Sequence, residues 1–201
     1  MTDWFAADDE GLRAAAAALA AGQVVALPTD TVYGLAVVPT LPATGDLLYE
    51  AKGRPRTVPI AVLTADATQA WELAARPVPP AALQLAASHW PGALTLVVRR
   101  AEEWSGQIGD DVGTVGVRCP DHGWMRSLCL QVGPLATTSA NRHGGATPPT
   151  AAEVAELFGP AVDVVIDGGI CAGAPSTVVD CTVEPPTVLR AGRLAASELG
   201  L

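Results

Sequence analysis

Short apolar runs, many of them separated by stretches of helix length, limit what this chain can fold into. Val24-Val25-Ala26-Leu27, Pro59-Ile60-Ala61-Val62-Leu63, Leu94-Thr95-Leu96-Val97-Val98, Val115-Gly116-Val117-Arg118, Leu135-Ala136-Thr137-Thr138 and the run 162–166 read as short, buried strands. Helical segments separate several of them. The first has Asp8 or Asp9 as its cap, Leu12, Ala15, Ala16 and Leu19 as its apolar stripe and Gly22 as its stop. Others are expected over 45–51, 67–74, 80–90 and 124–132, and Thr150 with Glu153 fits a capping box for one more. The charged stretch after Val98, up to Asp111, reads as a surface loop containing Trp104. The last two runs, Thr177–Asp180 and Thr187–Arg190, are divided only by a Pro-containing turn and are expected to pair antiparallel. Strands that alternate with helices and then cluster predict an α/β fold, with a mixed parallel and antiparallel sheet and helices on its faces. With no internal repeat or low-complexity linker, residues 1–201 are expected to form one domain.

Composition removes several function classes. Acidic residues number 21 against 12 Lys and Arg, for a net charge of −9, which disfavours nonspecific nucleic-acid binding. Cys119, Cys129, Cys171 and Cys181 lack CxxC spacing and the three histidines are scattered, so no metal site is expected and the thiols read as reduced and buried. No apolar run is long enough to span a bilayer, and Met1-Thr2-Asp3-Trp4 lacks the basic start of a secretory signal; a cytoplasmic location is the expectation.

Against this acidic background, Ala51-Lys52-Gly53-Arg54-Pro55-Arg56 places three cations within five residues, which suggests a small anionic ligand. Two polar segments are its candidate partners. Pro28-Thr29-Asp30-Thr31-Val32-Tyr33-Gly34-Leu35 begins where a strand stops, and Thr137-Thr138-Ser139-Ala140-Asn141 leads from a strand into a Gly/Pro-rich loop. Arg118 and Arg190 each end a β-run, where a guanidinium is placed to clamp a carboxylate or phosphate. Read singly, the polar segments also fit ordinary turns, and Arg118 and Arg190 fit surface ion pairs better than ligand clamps. Neither GxxxxGK[ST] nor GxGxxG occurs, so a nucleotide site here needs another design; without GxSxG, Ser139 is a poor hydrolase nucleophile.

Taken in order, Pro28–Leu35, Lys52-Gly53-Arg54-Pro55, Trp90-Pro91-Gly92 with Leu94-Thr95, Val117-Arg118-Cys119-Pro120, Thr138-Ser139-Ala140-Asn141, Pro175-Ser176-Thr177-Val178-Val179-Asp180 and Leu189-Arg190-Ala191-Gly192 resemble the threonylcarbamoyl-AMP synthase family (the YrdC/Sua5/TsaC group) over about residues 10–194. The resemblance implies a twisted open sheet around a concave, positively lined cavity. It implies synthesis of L-threonylcarbamoyl-adenylate and pyrophosphate from L-threonine, bicarbonate or CO₂ and ATP, for N6-threonylcarbamoyladenosine at position 37 of tRNA. The family's KxR and SxN elements fall on Lys52, Arg54, Ser139 and Asn141, with Arg190 also on the ATP side; Lys52 and Arg54 are the catalytic candidates. Threonine contacts fall on Thr31, Tyr33, Arg118 and Ser176, with Val178 a candidate for the methyl pocket. Mg²⁺ is expected to accompany ATP, and the product is expected to pass to a downstream transfer protein. Neither a membrane nor stable nucleic-acid binding is expected. Two positions depart from the family pattern: Leu63 stands where many members have histidine, and His143 replaces a serine in the loop after Asn141. The second domain of longer members is not expected. Two rival functions are an RNA-binding module and a carbamoyltransferase using carbamoyl phosphate.

Overall fold

Residues 2–111 and 113–201 are described by a computed structural model. The strands are β1 (Asp3–Ala6), β2 (Val25–Leu27), β3 (Gly34–Val37), β4 (Ala61–Leu63), β5 (Leu94–Arg99), β6 (Thr114–Arg118), β7 (Leu135–Ser139), β8 (Val164–Asp167), β9 (Thr177–Asp180) and β10 (Thr187–Arg190). The helices are α1 (Asp9–Ala20), α2 (Thr44–Lys52), α3 (Ala67–Glu72), α4 (Pro80–His89), α5 (Gly123–Val132) and α6 (Ala151–Phe158). All ten strands join one open sheet in the order β1-β8-β2-β3-β7-β4-β6-β5-β9-β10. The β1–β8, β8–β2, β4–β6 and β5–β9 pairs are parallel and the other five antiparallel, so the sheet is mixed, as the alternation of runs predicts. Among the described residues, no helix is long and apolar enough to cross a membrane.

Alternate residues of a strand face opposite sides of the sheet, and here the two sides are covered unequally. Val62, Leu96, Val98, Val117, Ala136 and Val179 pack on one side against α2, α3, α4 and α6, through Leu48, Tyr49, Ala70, Leu85, Val154 and Phe158. On the other side, α1 and α5 bury Ala15, Leu19, Met125 and Leu128 against Val25, Leu27, Ala36, Leu63, Leu135 and Ile166. That second cluster reaches from β8 to β4 and takes no buried residue from β6, β5, β9 or β10 among those described. The uncovered half of the sheet is where the cavity described below lies.

Several boundaries move for physical reasons. β1 was not foreseen, because Asp3-Trp4-Phe5-Ala6 is mostly exposed; it is an edge strand paired to β8. β3 was also missed: its Gly34-Leu35 overlaps the polar segment, yet its backbone pairs with both β2 and β7. α2 runs one residue past the expected end and includes Lys52, since Gly53 adopts φ 63°, the left-handed conformation that closes helices. The 99–111 stretch is not simply a surface loop. Ile108 is fully buried, and its carbonyl accepts from the Tyr49 hydroxyl (2.6 Å) and the Ile60 N–H (2.9 Å).

Gly11 marks the closest approach of α1 to β1. A Cβ there would collide with the Ala6 carbonyl, which is backbone and cannot swing away. Alanine is ordinarily the best helix residue, so the sign of the change is diagnostic. Gly11→Ala is expected to destabilise the fold by about 1–3 kcal/mol; a urea midpoint equal to or above wild type would contradict this packing.

Candidate active site

The cavity on the uncovered half of the sheet has a volume of about 510 Å³, within the range of small-molecule sites. Its floor is period-two strand sequence: Ala61 and Leu63 of β4, Thr95 and Val97 of β5, Thr114, Gly116 and Arg118 of β6, Thr137 and Ser139 of β7, Val178 and Asp180 of β9. Small residues dominate because any bulk here would fill the space. Leu189 and Arg190 of β10 close one side, and Thr29, Thr31 and the backbone around Tyr33 close another.

At the basic corner, the left-handed Gly53 sends its two flanking cations in different directions. Lys52, the only lysine in the chain, is 3% exposed. Its ammonium donates toward the Ser139 carbonyl (2.6 Å), the Ser139 Oγ (3.2 Å), the Asn141 carbonyl (2.9 Å) and the Asn141 Oδ1 (2.7 Å). Three protons meet four oxygens, so the group is fully committed to the protein. Ser139 Oγ also donates to Asn141 Oδ1 (2.6 Å), and Asn141 Nδ2 donates to the carbonyls of Arg142 and Gly145. The loop that follows is tied back by the His143 N–H on the Lys52 carbonyl (3.1 Å). Ser139 lies on the cavity wall; Lys52 and Asn141 stand behind it. The His143 side chain is exposed and contributes nothing to the wall, whereas Leu63 does.

Arg54, beyond Gly53, does reach the wall. Its Nε and Nη2 donate to the carbonyls of Val58 (3.1 Å) and Pro59 (2.8 Å). Arg190 uses Nη2 on the Ser176 carbonyl (2.8 Å) and Oγ (3.2 Å). Among the described residues, neither arginine joins an ion pair. Burial and then Arg190 hold the Arg54 guanidinium below its usual range, while Tyr49 opposes that shift. Burial, then Arg54, then Arg190 pull the Lys52 ammonium down to about 8. Among the described residues, none of these three cations joins an ion pair.

Arg118 is placed differently. It forms a buried ion pair with Asp30, Nη2 to Oδ1 at 2.7 Å, with side chains 7% and 10% exposed. Its Nε donates to the Gly92 carbonyl (2.9 Å) and its Nη1 to Thr31 Oγ1 (3.1 Å). Thr29 donates to the Val32 carbonyl (2.6 Å), so by donor count it is Thr31 that donates to Thr29 (3.0 Å). Beside them, Ser176 Oγ and Thr95 Oγ1 share a bond of 2.8 Å. The Tyr33 ring is in the core, and its hydroxyl donates to the Gly169 carbonyl (2.8 Å) and accepts from the Gly168 N–H (3.1 Å); burial pushes it up to about 12. Asp30 and Thr95 were missed as site residues, although both lie in segments quoted above. Two carboxylates, Asp111 and Asp180, also line the cavity, Asp111 held below its usual range by the Thr114 hydroxyl and the Gly113 N–H. All four cysteines are free and buried. Among the described residues, no group of three or more His, Cys, Asp or Glu is arranged to hold a metal.

An open mixed sheet with an arginine-lined cavity on its uncovered half places the chain among α/β proteins with a pocket of small-molecule size. The chain belongs to the Sua5/YciO/YrdC family, whose model, described as "Telomere recombination", matches residues 17–192. It is 39% identical over 190 residues to the threonylcarbamoyl-AMP synthase of Pyrococcus abyssi, covering 94% of this chain and 56% of that protein. Identity to the Bacillus subtilis protein of the same name is 36% over 202 residues, 99% of this chain and 58% of that one. The chain thus spans little more than half the length of these relatives. It superposes on P. abyssi Sua5 complexed with L-threonine at a TM-score of 0.89, with 36% identity, covering 99% of this chain and 59% of that one.

The single lysine makes the burial of its charge measurable. Between about 8 and the ordinary lysine value near 10.4, the unfolded chain keeps this proton and the folded chain releases it, so Lys52 adds stability as pH rises through that window. The buried thiols, all pushed upward, lose stability as pH rises from the thiol range, so a global melt mixes opposing effects. A ¹³Cε titration isolates Lys52: one lysine signal with a midpoint near 8 is expected, and a midpoint at the exposed-lysine value would refute the burial argument.

Proposed function

We propose that this chain is an L-threonylcarbamoyl-adenylate synthase, a nucleotidyltransferase acting in tRNA modification. The observation that carries the reading is the division of charge in one cavity. Arg54 and Arg190 have no counterion among the described residues, while Arg118, also on the wall, is paired to Asp30. A triphosphate fits the first corner and an amino-acid carboxylate the second. Similarity to proteins named threonylcarbamoyl-AMP synthase, and to one solved with L-threonine, supports the same assignment.

Chemistry follows from the positions. The threonine amine loses a proton and adds CO₂, forming an N–C bond and a carbamate. A carbamate oxygen then forms a bond to the α-phosphorus of ATP, and the bond to the β-phosphate oxygen breaks, releasing pyrophosphate. Arg54 and Arg190 reduce repulsion among these anions and stabilise the charge that develops on phosphorus. Arg118 holds the threonine carboxylate with its two remaining N–H groups, and Thr31 and Ser176 border that end. Tyr33 serves this end through its hold on the 168–169 turn, which precedes Ser176. Lys52 acts by fixing Ser139 and the 141–145 loop. No covalent nucleophile is required, so positioning supplies much of the rate. Mg²⁺ enters with ATP as part of the substrate. We place the reaction in the cytoplasm, within a single domain over residues 1–201, and assign the product to a separate transfer protein; the net charge of −9 argues against stable retention of RNA.

Pyrophosphate release with ATP, Mg²⁺ and bicarbonate should depend on L-threonine, with a product of threonylcarbamoyl-AMP mass. Release from carbamoyl phosphate, or tight RNA binding with no release, would replace this reading with one of its rivals. Arg54→Ala should lower kcat/KM by on the order of 10²-fold, about 2.7 kcal/mol, with the fold retained; wild-type turnover would remove Arg54 from the site.

A further inference from the structure

We propose that Asp30 is a positioning residue that makes the two ends of the cavity electrostatically unequal, and so fixes which substrate binds where. This rests on the synthase reading above. Asp30 is not on the cavity wall; it stands behind Arg118, nine-tenths buried, with Oδ1 on Nη2 at 2.7 Å. Its backbone carbonyl is held in turn by Arg193 Nη1 (3.2 Å). With the Gly92 carbonyl and Thr31 Oγ1, Asp30 supplies the third fixed acceptor around the guanidinium. Three of five N–H groups are thereby taken, the fork cannot rotate, and two N–H groups remain for one carboxylate.

The pairing also sets net charge. Arg118 with Asp30 is neutral overall, while among the described residues Lys52, Arg54 and Arg190 join no ion pair. A polyphosphate placed against Arg118 would meet the buried Asp30 carboxylate behind it, whereas a single carboxylate needs only the two oriented donors. Asp30 therefore directs the nucleotide away from the amino-acid end as well as aiming Arg118. Without its charge, both ends attract phosphate.

Asp30→Asn keeps an acceptor for Arg118 and removes the charge. The wild-type protein is assayed first, because absence of threonine-dependent pyrophosphate release sinks the synthase reading and this inference with it. Given wild-type turnover, Asp30→Asn is expected to raise the KM for threonine about tenfold with kcat changed less than about threefold. Inorganic pyrophosphate should become a competitive inhibitor against threonine in this variant only, weakening as salt is raised. A threonine KM equal to wild type, or the same inhibition pattern in both proteins, overturns the role of Asp30 alone. A buried guanidinium without its counterion can unfold the variant, so Arg118→Met and the double variant Asp30→Asn/Arg118→Met provide a second test by direct L-threonine binding. If Asp30 acts only through Arg118, these two bind threonine equally weakly. Residual binding in Arg118→Met that the double variant loses would mean that Asp30 touches the ligand itself, and would overturn a positioning role.

Discussion

The Lys52 ammonium is buried among four oxygens from two residues 87 and 89 positions away in sequence, and much of the site depends on that knot. Ser139 and Asn141 leave β7 just where β3 and β4 flank it, at the inner edge of the cavity. Their polar atoms turn inward to meet the lysine, which shapes the 141–145 loop behind the wall. Removing the ammonium would leave the Asn141 carbonyl without its donor and take one donor each from Ser139 and Asn141 Oδ1, and an unpaired buried polar group costs about 1–3 kcal/mol. The same anchor fixes the C-terminal turn of α2, so the left-handed Gly53 can aim Arg54 at the cavity from a rigid start. A residue that never reaches the wall thus determines the placement of two that do.

The cavity itself comes from unequal coverage of a single sheet. Helix α1 buries mainly alanines and α5 buries Met125, Leu128 and Cys129, and the cluster they form over β2, β3 and β8 stops at Leu63 and Leu135. Beyond that line the strands carry Ala61, Thr95, Gly116 and Thr137 on the same face, too small to form a core of their own. Burial of the opposite face by α2 and α4 keeps these strands in register although one side is open. A sheet solvated on one side normally alternates apolar with charged residues. Here small and hydroxylic side chains replace most of the charged ones, Arg118 and Asp180 excepted, leaving the sheet a partly polar wall.

Much of this was legible in the sequence, and the misses have identifiable causes. Apolar runs such as 94–98 and 135–138 declared themselves because both faces of those strands pack or border the cavity. Thr150 and Glu153 form the anticipated capping box, and β9 pairs with β10 as their spacing suggested. β1 escaped notice because an edge strand exposed on three of its four residues carries no apolar pattern. β3 was hidden by a polar motif whose last residues turn out to be backbone-paired on both sides. Lys52 and Arg54 looked alike as cations one residue apart from the same glycine. Only the helix-ending φ of Gly53 separates a buried anchor from a wall residue, and residue types alone do not encode that division. Tyr33 illustrates the same limit, since its hydroxyl reaches the 168–169 turn across 135 or more positions of sequence.

The strongly acidic composition and the cationic corner are complementary features. A net charge of −9 repels long polyanions at a distance, where fields from all side chains sum. Inside the cavity, screening is weaker and the nearest charges dominate, so a small anion that enters meets Arg54 and Arg190 before it senses the surface. Burial works in the same direction: it holds the guanidiniums of Arg54 and Arg190, and the Lys52 ammonium, below their usual ranges, because water no longer stabilises them. An arriving phosphate restores what burial removed. The electrostatic cost of assembling this corner is sustained by the packing of α2 and the sheet.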